Sequence, residues 1–439
     1  MPNQKISELT AVTIPLPGDV LPIVNGGTTK RVAVSGVAGV RMSGNGSLTS
    51  NQAAPFGVNS ITFGYGALGK FNPAGASSLS IDNIIIGCDN AKLKNCQGGS
   101  ERVACNVFLG TGIASTYPDC ATGSQPIYNQ GTRDNVFIGT RAARDVFSFF
   151  EQNTGQCGTY TSDYTVACNI AIGANAAANR QKLRQNVVIG SSAHALLTLC
   201  NSTNYTGNGT GTVAIGNYAG NNSMYGSLNV FIGKSAGAFS GTCTVGIRNV
   251  GIGANAFAGR KDTRYSVAIG NRAFANETNQ TGFVGFSIGI GRKAGSRLTS
   301  SINDVIIGAD TVSGANYGSI GSLSATNNTI LGNRAMGFTN VNNAANLMLR
   351  DNTIIGACGG WCSSGSYNIM IGTNTAVSDT FKSLSGTIVL GNCAQPLANN
   401  TLVLGSATFP LSTVATAGAA AGFLIVNING THRKIAFNS

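Results

Sequence analysis

Seventeen short apolar runs in this chain each end in an apolar residue followed by glycine: Gly64, Gly87, Gly110, Gly139, Gly173, Gly190, Gly216, Gly233, Gly253, Gly270, Gly291, Gly308, Gly332, Gly356, Gly372, Gly391 and Gly405. Between Gly173 and Gly405 most gaps are about 14 to 21 residues, and the commonest is 17. A unit that short cannot bury its own apolar face. A near-constant period of this size therefore implies units that stack on their neighbours, as in a solenoid.

The clearest copies are NVFIG at Asn135 to Gly139, NIAIG at Asn169 to Gly173, NVVIG at Asn186 to Gly190, NVFIG at Asn229 to Gly233 and NVGIG at Asn249 to Gly253. Side chains alternate along a strand, so the first and third apolar residues, such as Val136 and Ile138, share one face. That face is uniformly aliphatic and is expected to form the repeated buried layer. The residue between them is Phe, Ala, Val or Gly, so the other face varies. β-Branched residues favour the pleat, and the bounding Asn and Gly suit turns because both tolerate left-handed backbone angles.

In eleven of the seventeen units an alanine stands three residues after the glycine: Ala67, Ala142, Ala176, Ala193, Ala219, Ala236, Ala256, Ala273, Ala294, Ala335 and Ala394. A small side chain at one fixed place per coil points to a close approach of backbone layers or of neighbouring chains; a turn that merely tolerates alanine is the alternative. Each coil is then expected to hold two strands, one ending at the glycine and one after the alanine.

With 60 glycines and 10% charged residues among 439, the composition suits a stacked β-scaffold better than several globules. No apolar run approaches the roughly 20 residues of a membrane-spanning helix. The start, MPNQKISELTAVTIPLPGD, does not read as a secretory signal. The net charge of +12 comes from basic residues scattered singly, apart from small groups such as Arg260, Lys261 and Arg264 or Arg292, Lys293 and Arg297. Nucleic-acid binding normally needs clustered basic residues interleaved with aromatics. These groups read as solvated corners of coils, with long-range attraction to an anionic surface as a second reading.

Eleven cysteines include no CxxC pair, and His194 and His432 are the only histidines, so neither a zinc site nor any other metal or cofactor is expected. Cys105 with Cys120 and Cys157 with Cys168 flank long insertions. Disulfides there would require an oxidising environment, and buried thiols are the alternative.

The insertions, at about 111–134, 145–168 and 191–212, interrupt the period and should leave the solenoid as loops. They carry Tyr117, Tyr128, Tyr160, Tyr164 and Tyr205 among many Asn, Thr, Ser and Gly, a mixture that can hold sugar rings. These five tyrosines are the candidate binding residues. Phe147, Phe149 and Phe150 read equally well as anchors that fix a loop to the scaffold. Residues 1–40 form a separate N-terminal segment, with VLPIV at Val20 to Val24 and TTKRVAV at Thr28 to Val34 joined by a Gly-rich turn. Residues 41–410 are the repeat region. Residues 411–439 comprise a small-residue linker and a second hairpin, Phe423 to Ile428 with Thr431 to Phe437.

The repeated NxxIG followed by x-x-A resembles the left-handed β-roll in the heads of trimeric autotransporter adhesins (YadA-like), over roughly residues 60 to 410. Lys5 to Leu9 (KISEL) and Asp19 to Ser35 look like the N-terminal segment of many bacteriophage tail-fibre and virion appendage proteins, and FLIVNINGTHRKIAF looks like a C-terminal element of fibre-like phage proteins. These resemblances imply an all-β, left-handed β-roll solenoid with short hairpin ends, assembled as a parallel homotrimer. They also imply attachment to other virion proteins through the N-terminal segment, without membrane insertion or nucleic-acid binding. The expected location is the virion, assembled in the host cytoplasm and then extracellular, with host-surface polysaccharide as a possible ligand. An autotransporter would carry a secretion signal and a C-terminal membrane anchor, and neither pattern is seen, which favours a virus particle.

Two other functions remain open at this stage. A capsid decoration or collar protein would need no receptor contact. A polysaccharide-degrading tailspike would need two carboxylates set about 5 to 10 Å apart, and the 16 acids are mostly isolated. The densest group, Asp134, Asp145 and Glu151, lies beside Arg141 and Arg144 and reads as ion pairing. The chain is therefore expected not to be an enzyme.

Overall fold

The computed structural model describes most of residues 83–409, together with short strands before and after that span. Within it, residues 89–102, 114–131, 145–165, 179–181, 196–207, 223–225, 240–244, 276–282, 297, 316–322, 340–346, 361–362 and 377–381 lie outside the described residues. The described residues are all-β, without a helix, and form the expected β-solenoid. The chain divides into two compact units, Met1–Tyr265 and Ser266–Ser439.

In the first unit, strands ending at successive repeat glycines pair in parallel and in register: Ile84–Ile86, Val107–Leu109, Val136–Ile138, Ile170–Ile172, Val187–Ile189, Val213–Ile215, Val230–Ile232 and Val250–Ile252. A second parallel sheet runs through Thr132–Arg133, Val166–Ala167, Lys182–Arg184 and Asn208–Thr210, and another pair joins Val245–Ile247 to Asp262–Arg264. The second unit repeats the scheme, from Val267–Ile269 to Leu402–Leu404 in one sheet and from Phe283–Gly285 to Lys382–Ser383 in the other. The two-strand coil read from the sequence is thus present.

The faces are assigned the other way round from the sequence expectation. The variable middle residue points inward: Ile85, Phe108, Phe137, Ala171, Ala214 and Phe231 in the first unit are fully buried, as are Ala268, Ile306, Ile330 and Ile354 in the second. The uniform aliphatic residues point outward. The middle column varies because large and small side chains must complement one another across coils. Phe108 stacks on Phe137 at 5.4 Å between centroids. Further along, a Cβ on Gly237 would meet the Phe231 ring at 2.5 Å and one on Gly251 would meet it at 3.0 Å. In the second unit Phe274 occupies the space that side chains at Gly289 and Gly295 would need.

The described repeat alanines are buried in this core, Ala142, Ala176, Ala193 and Ala335 among them, while Ala67 lies outside the described residues. The closest approach of backbone layers occurs instead at the glycine. Gly139 has φ 129°, and a Cβ there would lie 2.6 Å from the Gly173 carbonyl oxygen, so no larger residue fits.

Asparagine has a different role from the turn function expected of it. The left-handed corner belongs to the residue before it, such as Asp134 at φ 57°. Asn135 itself is buried and belongs to a side-chain ladder. Asn106 donates from N and Nδ2 to Asn83 Oδ1, and Asn135, Asn169 and Asn186 each repeat this to the coil before at 2.9–3.2 Å. An amide donates and accepts at once, so it can satisfy both neighbours along such a stack. The second unit has its own ladder from Asp304 through Asn328 and Asn352 to Asn368.

The expected terminal hairpins are present. Val20–Asn25 pairs antiparallel with Thr28–Ala33, and Phe423–Ile428 with Thr431–Ala436.

Candidate functional site

Two outward surfaces stand out. The first is the strand face that carries the uniform aliphatic residues. In the first unit Ile84, Ile86, Ile170, Ile189, Ile232 and Ile252 are exposed, and in the second Ile269, Ile288, Ile307, Ile355, Ile371 and Leu390 are exposed. In-register pairing aligns them in columns, Ile172 with Ile189 and Ile215 with Ile232 for example. Every flanking position in these strands is apolar except Thr329 and Thr353. Contiguous apolar surface of this kind marks an interaction face.

The second surface is the corner immediately before the buried ladder residue. Its backbone is left-handed on coil after coil, a conformation that Asn, Asp and Gly adopt most readily. Asp134, Asn303, Asn327 and Asp351 follow that rule, but Leu228, Arg248, Tyr265, Phe286 and Tyr367 do not. In the first unit the Arg248 guanidinium lies over the Tyr265 ring, 5.4 Å from its centroid. Its Nη1 reaches the Tyr265 hydroxyl at 3.3 Å. In the second unit Asn303 Nδ2 donates to Asn327 Oδ1 at 3.1 Å, and Asn327 Nδ2 donates to Asp351 Oδ1 at 3.0 Å. The sequence signal for this column is the residue before the repeat core, as in YSVAIG, FSIGIG and YNIMIG, where a bulky side chain precedes Ser or Asn.

All five candidate binding tyrosines, Tyr117, Tyr128, Tyr160, Tyr164 and Tyr205, lie outside the described residues, as do Phe147, Phe149 and Phe150. Thr111–Ile113 and Thr132–Asp134, which fall at the ends of the expected insertions, belong to coils, as do 166–168, 191–195 and 208–212.

Charged residues depart from expectation in one case. Arg260, read as a solvated corner, is fully buried, and burial pulls its pKa down to about 9. Arg264 is largely exposed and pairs with Asp262 at 2.9 Å, a contact that pushes its pKa up. Arg292 pairs with Asp310, and Lys293 is half-buried. Arg297 lies outside the described residues. Of the acidic group weighed for glycoside cleavage, Asp134 stands at a coil corner, whereas Asp145 and Glu151 lie outside the described residues. Cys105 and Cys168 are exposed at coil corners, and their expected partners Cys120 and Cys157 lie outside the described residues. Among the described residues no group of three His, Cys, Asp or Glu could hold a metal ion.

Comparisons with protein-family models, with curated proteins and with solved structures return no match for this chain.

Proposed function

We propose that this chain is the subunit of a homotrimeric fibre or appendage of a bacteriophage particle, fixed to other virion proteins through residues 1–40 and contributing to attachment to the host surface. The observation that carries the assembly is the outward aliphatic face. Apart from Thr329 and Thr353 the column is apolar on each described coil, and no described residue covers it, because the core is filled by the other face of the same strands. Parallel copies related by a rotation axis along the coils would set aliphatic residues against their own copies and close into a finite assembly. The virion assignment rests on the resemblance of the N-terminal segment and the C-terminal hairpin to fibre proteins. The three long insertions that interrupt the repeat in the sequence favour attachment over pure scaffolding, because loops displayed on a rigid frame are where binding residues gather.

Sedimentation of the intact chain tests the assembly. A trimer is expected, and a stable monomer overturns it. Antibody labelling of virions tests the role: label at a distal fibre supports attachment, whereas label spread over the capsid supports a decoration protein.

A further inference from the structure

We infer that the aliphatic faces of neighbouring copies close edge to edge and head to tail, with Asp134 at the start of one copy's strand paired with Arg141 at the finish of the next copy's strand. The inference names the contact that closes the assembly and sets its register, and it rests on the trimeric reading.

The strand Val136–Ile138 shows the geometry. Asp134 stands at the corner before it, with φ 57°, and Arg141 at the corner after it, with φ 56°. In the sequence the two stand close enough to read as an ion pair; the structure sets them at opposite ends of the strand. Both are exposed, and among the described residues neither side chain makes an ion pair. When identical strands are arranged in parallel about an axis along the coils, all run in the same sense round that axis. The finish of each strand then meets the start of the next, a heterologous contact that closes into a ring. Asp134 of one copy is thereby brought to Arg141 of its neighbour, once at each junction.

Charge complementarity along these edges supplies what the aliphatic columns lack. The columns are nearly alike from coil to coil, so they cannot fix which level of one copy meets which level of the next. The corners differ from coil to coil and can. The strands on either side of Val136–Ile138 begin after Cys105 and Cys168. Shifted by one coil, Arg141 would face one of these instead of Asp134 and lose its counter-charge. The second unit, taken by itself, obeys the same rule. Phe286, Asn303 and Asn327 precede the strands whose finishing corners are Lys293, Asp310 and Arg334, so each finishing charge meets a ring or an amide and never a like charge.

The test uses the full chain carrying Asp134→Cys and Arg141→Cys together, assembled and then oxidised. Both kinds of corner already hold cysteine on other coils, Cys105 and Cys168 at the start and Cys358 and Cys393 at the finish, so the replacements suit the backbone. Within one copy the two sites stand at opposite ends of an extended strand, beyond the roughly 7 Å that a disulfide spans, so the bond has to join copies. Non-reducing electrophoresis should show a covalent trimer in the double variant and none in the parent or in either single variant. Charge exchange reads the same contact without cysteine. Asp134→Arg sets like charges at all three junctions and should raise the concentration at which the trimer dissociates about tenfold at low salt. Adding Arg141→Asp should return it to within about twofold of the parent. A trimeric parent whose cysteine variant gives no covalent trimer, or whose charge reversal changes nothing, overturns the edge contact and leaves the trimeric fibre standing. A covalent dimer in place of a trimer keeps the edge contact and sinks the threefold closure; a monomeric parent sinks both.

Discussion

Phe231 and Ile232 are neighbours in one strand, yet the first is fully buried and the second is 37% exposed. The inward column is irregular and mixes Phe, Ala, Val, Ile and Gly, because each side chain must fit the space left by its neighbours across coils. The outward column is regular and nearly all Ile, Val or Leu, although no packing among the described residues demands it. Irregularity thus marks the face that has been fitted to a core. Regularity without an internal reason marks the face that meets something equally regular, and a parallel copy of the same chain meets that condition.

Exchanging these two residues gives the largest contrast. Phe231→Ala should cost about 3–5 kcal/mol of folding stability by opening a cavity in the core, read as a fall in the denaturation midpoint. Ile232→Asp should cost the fold only about 1 kcal/mol, through poor strand propensity, yet disperse the assembly, because it sets a charge against its own copies. Sedimentation combined with circular dichroism separates the two outcomes. If Ile232→Asp unfolds the chain, or leaves a trimer intact, the assignment of faces to core and interface fails.

The ladder tests a second contrast, between buried polar and buried apolar stacking. Asn169 Nδ2 donates to Asn135 Oδ1, Ala167 O and Leu183 O, and its Oδ1 accepts from N and Nδ2 of Asn186. Asn169→Ala removes the side-chain links to both neighbouring coils and should cost about 3 kcal/mol, even though Asn135 Oδ1 keeps the Asn169 backbone N–H at 3.1 Å and Ala167 O keeps the Gln185 N–H at 3.0 Å. A loss no larger than that of an exposed alanine substitution would show that water replaces the amide.

The repeat, its two strands per coil and both terminal hairpins were legible in the chain because period and turn chemistry are local. Which face is buried was not legible. Alternation says that Val136 and Ile138 share a side, but an outward side can be as apolar as an inward one when another chain covers it. Asn135 was visible as a repeated residue, and its ladder was missed because Asn also suits turns and single-sequence reasoning favoured the commoner role. Arg260 went the same way: a basic residue near a coil corner is normally solvated, and only the packing around it shows its burial.

The smallest effect concerns the one acidic member of the ladders. Asp304 is fully buried. Its Oδ1 accepts from N and Nδ2 of Asn328 at 2.9 and 2.8 Å, and its Oδ2 from Ser301 Oγ at 2.7 Å and the Ile302 amide at 3.1 Å. Burial outweighs these four contacts and raises its pKa above the ordinary 3.8. The folded chain therefore holds a proton in a pH interval where the unfolded chain has released it. The contribution of this group to stability is greatest below pH 3.8 and declines as pH rises from there through the folded-state value, the reverse of a salt-bridged carboxylate. Asp304→Asn removes the titration. The difference in unfolding free energy between parent and variant should thus shift across that interval and stay constant on either side. Urea denaturation at a series of pH values measures it. A difference independent of pH would mean that the four donors hold the carboxylate ionised as readily as water does, and that a charge in the ladder costs no more than an amide.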